Sequence, residues 1–181
     1  MTDGPPPLRN HVIATPSIIV RGNVDKLSTR LTENLRLEGR PHLRITDSEV
    51  RFIASNAITQ HGETIIMKDD VSWAHEFVAL SGDLHQRRLY EPTEETRIMI
   101  WFARPEGLLI HGIVPVATLA APNEWMVVRA PVAESHTATS EHHAEAMDGL
   151  PWIVCHLQAV SAIADIGRDD RDLPINEEPH A

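Results

Sequence analysis

The strongest constraint on this chain is a long apolar stretch free of Asp, Glu, Lys and Arg, which runs from Gly149 to Ala164. Such a run has to be buried. It is shorter than the roughly 20 apolar residues a helix needs to cross a bilayer, and it carries His156, Gln158 and Ser161, so no membrane span is expected. Leu150, Trp152, Ile153, Val154, Leu157, Val160, Ile163 and Ile166, with alanines at 159, 162 and 164, fill most of a helix circumference. Pro151 suits a first helical turn and Gly167 a stop. The expectation is a terminal helix, Leu150–Ile166, apolar on all sides. A helix of that kind must be covered on more than one side, and the simplest outer cover is a second copy of the chain. The sequence thus predicts a homodimer with Trp152, Ile153, Leu157 and Val160 at its interface.

Upstream, the hydrophobic period is mostly two. His11–Arg21 is β-branched, with a break or edge at Pro16. A helix is expected from Asn23 to Leu37 on the spacing of Val24, Leu27, Leu31 and Leu35, stopped by Gly39 and Pro41. His42–Ala54 alternates on either side of Asp47-Ser48 and reads as a hairpin, with Leu43, Ile45, Val50 and Phe52 in the apolar positions. Thr64–Met67 and Trp73–Leu80 follow as strands, then a polar loop, Ser81–Thr96. Arg97–Ala103 is apolar on both faces, as a central strand would be. Leu108–Leu119, bent at Pro115, and Trp125–Arg129 complete the strands, and Ser140 is placed to cap a short helix ending at Met147.

These elements predict one α+β domain over residues 11–167, a mostly antiparallel meander of about seven or eight strands with an N-terminal helix and the apolar C-terminal helix. Residues 1–10 and the acidic tail 168–181 are expected to be disordered. No internal repeat is visible. Strands followed by a terminal helix resemble the element order of pleckstrin-homology-like domains, and Leu43–Ala54 resembles the first hairpin of bacterial members of that superfamily. The resemblance implies a barrel-like arrangement of the strands. It covers about a dozen residues and carries no functional residue with it.

The net charge is −10, and residues 133–181 supply −8 of it through ten acids against two arginines. Phosphates would be repelled by that third of the chain, so nucleic acid is not an expected partner. The single cysteine, Cys155, excludes an intrachain disulfide and suits a reducing, cytoplasmic location. Nothing at the N-terminus has the basic and apolar regions of a secretion signal. The sequence has no P-loop, GxGxxG, GxSxG or kinase signature.

Three constellations could carry chemistry. In Trp73–Val78, one ionisable group shares each face with apolar neighbours, and in Leu108–Ile113 the same holds for His111. If those faces met, His75, Glu76 and His111 could form an acid/base site, with Trp73 and Trp101 lining a ligand pocket. His136, His142 and Glu145 are the candidate ligands for a divalent metal, the last two three residues apart on a helical face. Cys155 and His156, adjacent on a helix, point in different directions and make a poor nucleophile pair. No cofactor is otherwise expected. The leading functional expectation is a non-enzymatic binding or regulatory module, homo-oligomeric, holding a protein or small-molecule partner. The alternatives are a small β-barrel enzyme doing acid/base chemistry on a hydrophobic small molecule, and an assembly subunit of a phage or shell.

Overall fold

The computed structural model describes residues 9–25, 30–77, 94–120 and 122–167. Residues 1–8, the body of the 81–96 loop and the 168–181 tail lie outside the described residues. Ten strands are described: β1 His11–Ala14, β2 Ile18–Val24, β3 His42–Phe52, β4 Ile58–Met67, β5 Trp73–Glu76, β6 Glu95–Phe102, β7 Leu108–Pro115, β8 Trp125–Ser135, β9 Trp152–His156 and β10 Val160–Gly167. The helices are α1 Leu31–Arg36, α2 Val116–Ala120 and α3 Ala138–Met147. None of the described helices is long and apolar enough to cross a membrane. All strands form one antiparallel sheet in the order β10-β6-β7-β8-β9-β5-β1-β2-β3-β4. The broad α+β, antiparallel expectation holds. A closed barrel does not, because β10 and β4 stand at opposite ends of an open sheet.

The largest correction is at the C-terminus. The expected helix Leu150–Ile166 is two strands, β9 and β10, separated by a 3₁₀ turn at Leu157–Ala159. Strand β9 lies between β8 and β5 and is buried on both faces, with Ile153 and Cys155 facing one core and Val154 the other. A strand buried on both faces and a helix apolar all round leave the same trace in sequence, a short run without charges. The dimer surface assigned to that helix therefore does not exist as drawn: Trp152, Ile153, Leu157 and Val160 all pack on the chain's own cores.

Smaller corrections have equally local causes. Pro16 splits the first strand into a β1–β2 hairpin, closed by Thr15, whose N–H donates to the Ile18 carbonyl at 2.9 Å. Val24 belongs to β2, residues 26–29 with Leu27 lie outside the described residues, and the helix described is Leu31–Arg36. The expected hairpin around Asp47-Ser48 is instead one strand, β3, with a bulge, and Phe52 at its end is 41% exposed. Trp73–Glu76 is shorter than expected and residues 78–80 fall outside the described set. β6 is paired on both sides yet not covered on both faces, since Trp101 is 37% exposed. Leu108–Leu119 stops as a strand at Pro115 and turns into α2. Helix α3 starts earlier than expected, at a capping box made by Thr137 and Ser140.

The strand order contains a repeat that the sequence conceals. It divides into β5-β1-β2-β3-β4 and β10-β6-β7-β8-β9, in each of which the fifth strand returns beside the first. A short helix joins the second and third strands in both halves, and a 3₁₀ turn, Lys68–Asp70 or Leu157–Ala159, joins the fourth and fifth. The ladders correspond residue for residue. Gly22 is skipped between the pairs Arg21–Glu49 and Asn23–Thr46, and Gly112 between His111–Val132 and Ile113–Arg129. Opposite each glycine the third strand bulges through a residue with positive φ, Asp47 at 50° and Ala130 at 44°.

Each half owns a core. Ile13, Val20, Leu43, Ile45 and Ile66 pack with Leu31 and Leu35 of α1 on one face of the sheet. Ile100, Ile110, Met126, Val128 and Cys155 pack with Ala146 and Met147 of α3 on the other. The middle strands serve both cores through alternation, as with Trp73 and Ala74.

The paired bulges give a direct test. A Cβ at Gly112 would sit 2.2 Å from Val128 Cγ1, and one at Gly22 would sit 2.5 Å from Ile45 Cγ2 and 2.8 Å from the Thr46 carbonyl. Gly112→Ala and Gly22→Ala should each cost about 1–3 kcal/mol in urea unfolding. Val128→Ala should recover part of the first loss. Ile45→Ala should not recover the second, because backbone blocks that site.

Candidate functional site

The side chains capable of chemistry collect at the seam where β5 of the first half meets β9 of the second. His75 is buried, and its Nδ1–H donates to the Trp152 carbonyl at 2.7 Å. Its ring lies against those of Trp152 and Phe77, with centroids 4.7 and 4.6 Å away. Burial lowers its pKa, partly offset by the Trp152 carbonyl and the Glu76 charge. Glu76, on the other face of β5, accepts the Leu31 N–H at 3.0 Å and so secures the start of α1. Its other oxygen is 3.5 Å from His11 Nε2, and His11 Nδ1 accepts the Val24 N–H at 3.2 Å.

Two further imidazoles close the seam. His156 stacks on Trp125 at 4.2 Å, hydrogen-bonds the Val71 carbonyl through Nδ1 at 3.1 Å, and has Nε2 3.4 Å from Glu124. His143 of α3 accepts the Trp73 indole N–H at 3.2 Å. It is fully buried, and desolvation drives its pKa from 6.5 down to about 4. Sequence reasoning gave no role to His11 and His143 and weighed His156 only as a partner for Cys155. Their signal was a histidine inside an apolar strand or on the apolar side of a helix, which says buried without saying what it bonds.

The residues proposed as an acid/base site do not converge. His111 is on β7, separated from β5 by β8 and β9 and so by roughly 14 Å of sheet. It is half-exposed, lies on the face opposite its core neighbour Ile110, and pairs with Glu134 at 3.3 Å. Trp73 is a fully buried core residue, and Trp101 is on β6 near the other end of the sheet.

Of the metal candidates, two meet as a pair. His142 Nδ1 is 3.5 Å from Glu145, which also meets Arg51 at 3.3 Å, while exposed His136 precedes the helix. No group of three or more His, Cys, Asp or Glu among the described residues is arranged to hold a metal ion. Cys155 is buried, its thiol pKa raised by desolvation, and on a strand it points away from His156.

A cleft of about 250 Å³ opens between the β2–β4 strands and α3, lined by Ile19, Arg21, Glu49, Arg51, Ile58 and Glu145. Its charges largely offset one another: Glu49 meets Arg9 at 2.7 Å and Glu145 meets Arg51.

The buried imidazoles predict an acid-sensitive fold. His143 stays neutral in the folded chain down to about pH 4, whereas unfolded it takes a proton near pH 6.5. Stability is therefore intact above pH 6.5 and falls as the pH drops from there to about 4, by on the order of 3 kcal/mol from this group. His75 acts in the same direction. Thermal melts across that range should show the decline, and His143→Gln should flatten it; a melting point independent of pH would contradict the assignment.

Compared with known proteins, the chain matches no family model, no curated protein and no solved structure, so the functional reading stands on this geometry.

Proposed function

We propose that this chain is a non-enzymatic binding module that acts as a homo-oligomer. One observation carries the reading: His75, His143 and His156 are engaged in holding the two halves of the sheet together and Glu76 in tying β5 to α1, while β4 and β10 each pair on one side only among the described residues. An imidazole bonded to a main-chain carbonyl or an indole inside a core is in place to fix packing. A strand edge, in contrast, presents unpaired N–H and C=O groups in a row and is a template for another strand. The assembly-subunit reading draws on the same two edges. The barrel-enzyme reading loses its motivation with the separation of His75 from His111.

The oligomer is the testable core of this reading. Sedimentation velocity on the full chain across the micromolar range should show species heavier than one chain, growing with concentration. A single one-chain species throughout would overturn it.

A further inference from the structure

The repeat specifies how the copies would join. Resting on the homo-oligomeric reading above, we infer that the free β4 edge of one copy pairs with the free β10 edge of the next, in the register the chain uses internally between β9 and β5. Strand β9 is the fourth strand of the second half and β5 the fifth strand of the first, and they pair with Cys155 opposite Trp73 and Val154 opposite Ala74. Among the described residues, the unpaired ends of the sheet are the same two kinds of strand, a fourth, β4, and a fifth, β10.

The ladders transfer the register without adjustment. Ala74 and Trp73 face Ile13 and Ala14 on the first strand of their half, as Ile163 and Ala162 face Ile100 and Trp101. Ile66 and Ile65 face Leu43 and Arg44, as Cys155 and Val154 face Met126 and Val127. Between copies, Ile66 therefore stands opposite Ala162 and Ile65 opposite Ile163. The seam bond from the His156 N–H to the Ser72 carbonyl, 3.0 Å long, becomes one from the Met67 N–H to the Ser161 carbonyl.

Exposure marks the same places. Val154 is 0% exposed inside the seam, while its counterpart Ile65 on the free edge is 58% exposed. Ala14 is 0% exposed and its counterpart Trp101 is 37% exposed; His156 is 0% exposed and Met67 is 45% exposed. Large apolar side chains thus lie open at the positions that the internal junction buries. The far half of β4, Ile58–Glu63, is polar apart from Ile58, which restricts pairing to the Thr64–Met67 end. Carried two residues on, the register sets Asp165 against Glu63, whose charge Arg44 offsets at 2.6 Å. Because the two edges differ, the contact is heterologous and runs head to tail, closing as a ring or extending as a filament.

Three cysteine variants and one charge variant test this on the full chain, with Cys155 left in place because its thiol is buried. Mixing Ile65→Cys with Ile163→Cys protein under mild oxidation should give a reducible two-chain product, and the double variant should give a ladder of longer ones. Ile65→Lys should weaken association by about tenfold or more while circular dichroism stays unchanged. Cross-linking of Ile65→Cys protein with itself alone would mean that two β4 edges meet, and would overturn the register. Oligomers that persist in Ile65→Lys, with no product from the mixture, would overturn it too while leaving the homo-oligomer standing. A wild-type chain that never associates removes both.

Discussion

The antiparallel contact between β5 and β9 is what the rest of this structure depends on. It is short, yet it joins two five-strand halves whose inner faces point to opposite sides of one sheet. Each half therefore covers the other's outer face at the seam. Val154 and Trp125 of the second half enter the first half's core, and Trp73, Val12 and Ala14 of the first enter the second's. Without that ladder those apolar side chains would face water, at roughly 1.5–3 kcal/mol for each large one.

Polar contacts make the seam specific. His75 bonds Trp152, His156 bonds Val71, and Trp73 bonds His143, so each contact links a residue of one half with a residue of the other. Buried imidazoles are costly to leave unpaired, and a shifted register would leave these three without partners. Of the groups that looked like an acid/base site in sequence, His75 takes part in setting the alignment of the two halves. Glu76 has a comparable task on its own half, tying β5 to α1 and to His11.

The bulges show how a repeat can persist without visible sequence similarity. What both halves keep is a glycine in the second strand, a positive-φ residue in the third, a 3₁₀ turn before the fifth, and apolar residues at matched ladder positions. Gly22 and Gly112, or Val71-Ser72 and Val160-Ser161, are identities too sparse to notice along the chain. Asp47 and Ala130 share a backbone conformation and no side-chain property at all.

By itself the sequence determined the antiparallel β character, the segments that carry period-two alternation, the start of a helix near Ser140, and a buried centre, Ile153–His156, for the charge-free run Gly149–Ala164, because each follows from local hydrophobic pattern and turn chemistry. It could not decide between a helix and two strands for that last segment, since burial on all sides erases the periodicity that distinguishes them. Only the tertiary structure decided it, by placing Ile153–His156 between β8 and β5 with a core on each face. Tertiary structure likewise decided that His75 and His111 stand apart while His75, His143 and His156 share a seam, because which strands become neighbours is a property of pairing between distant segments.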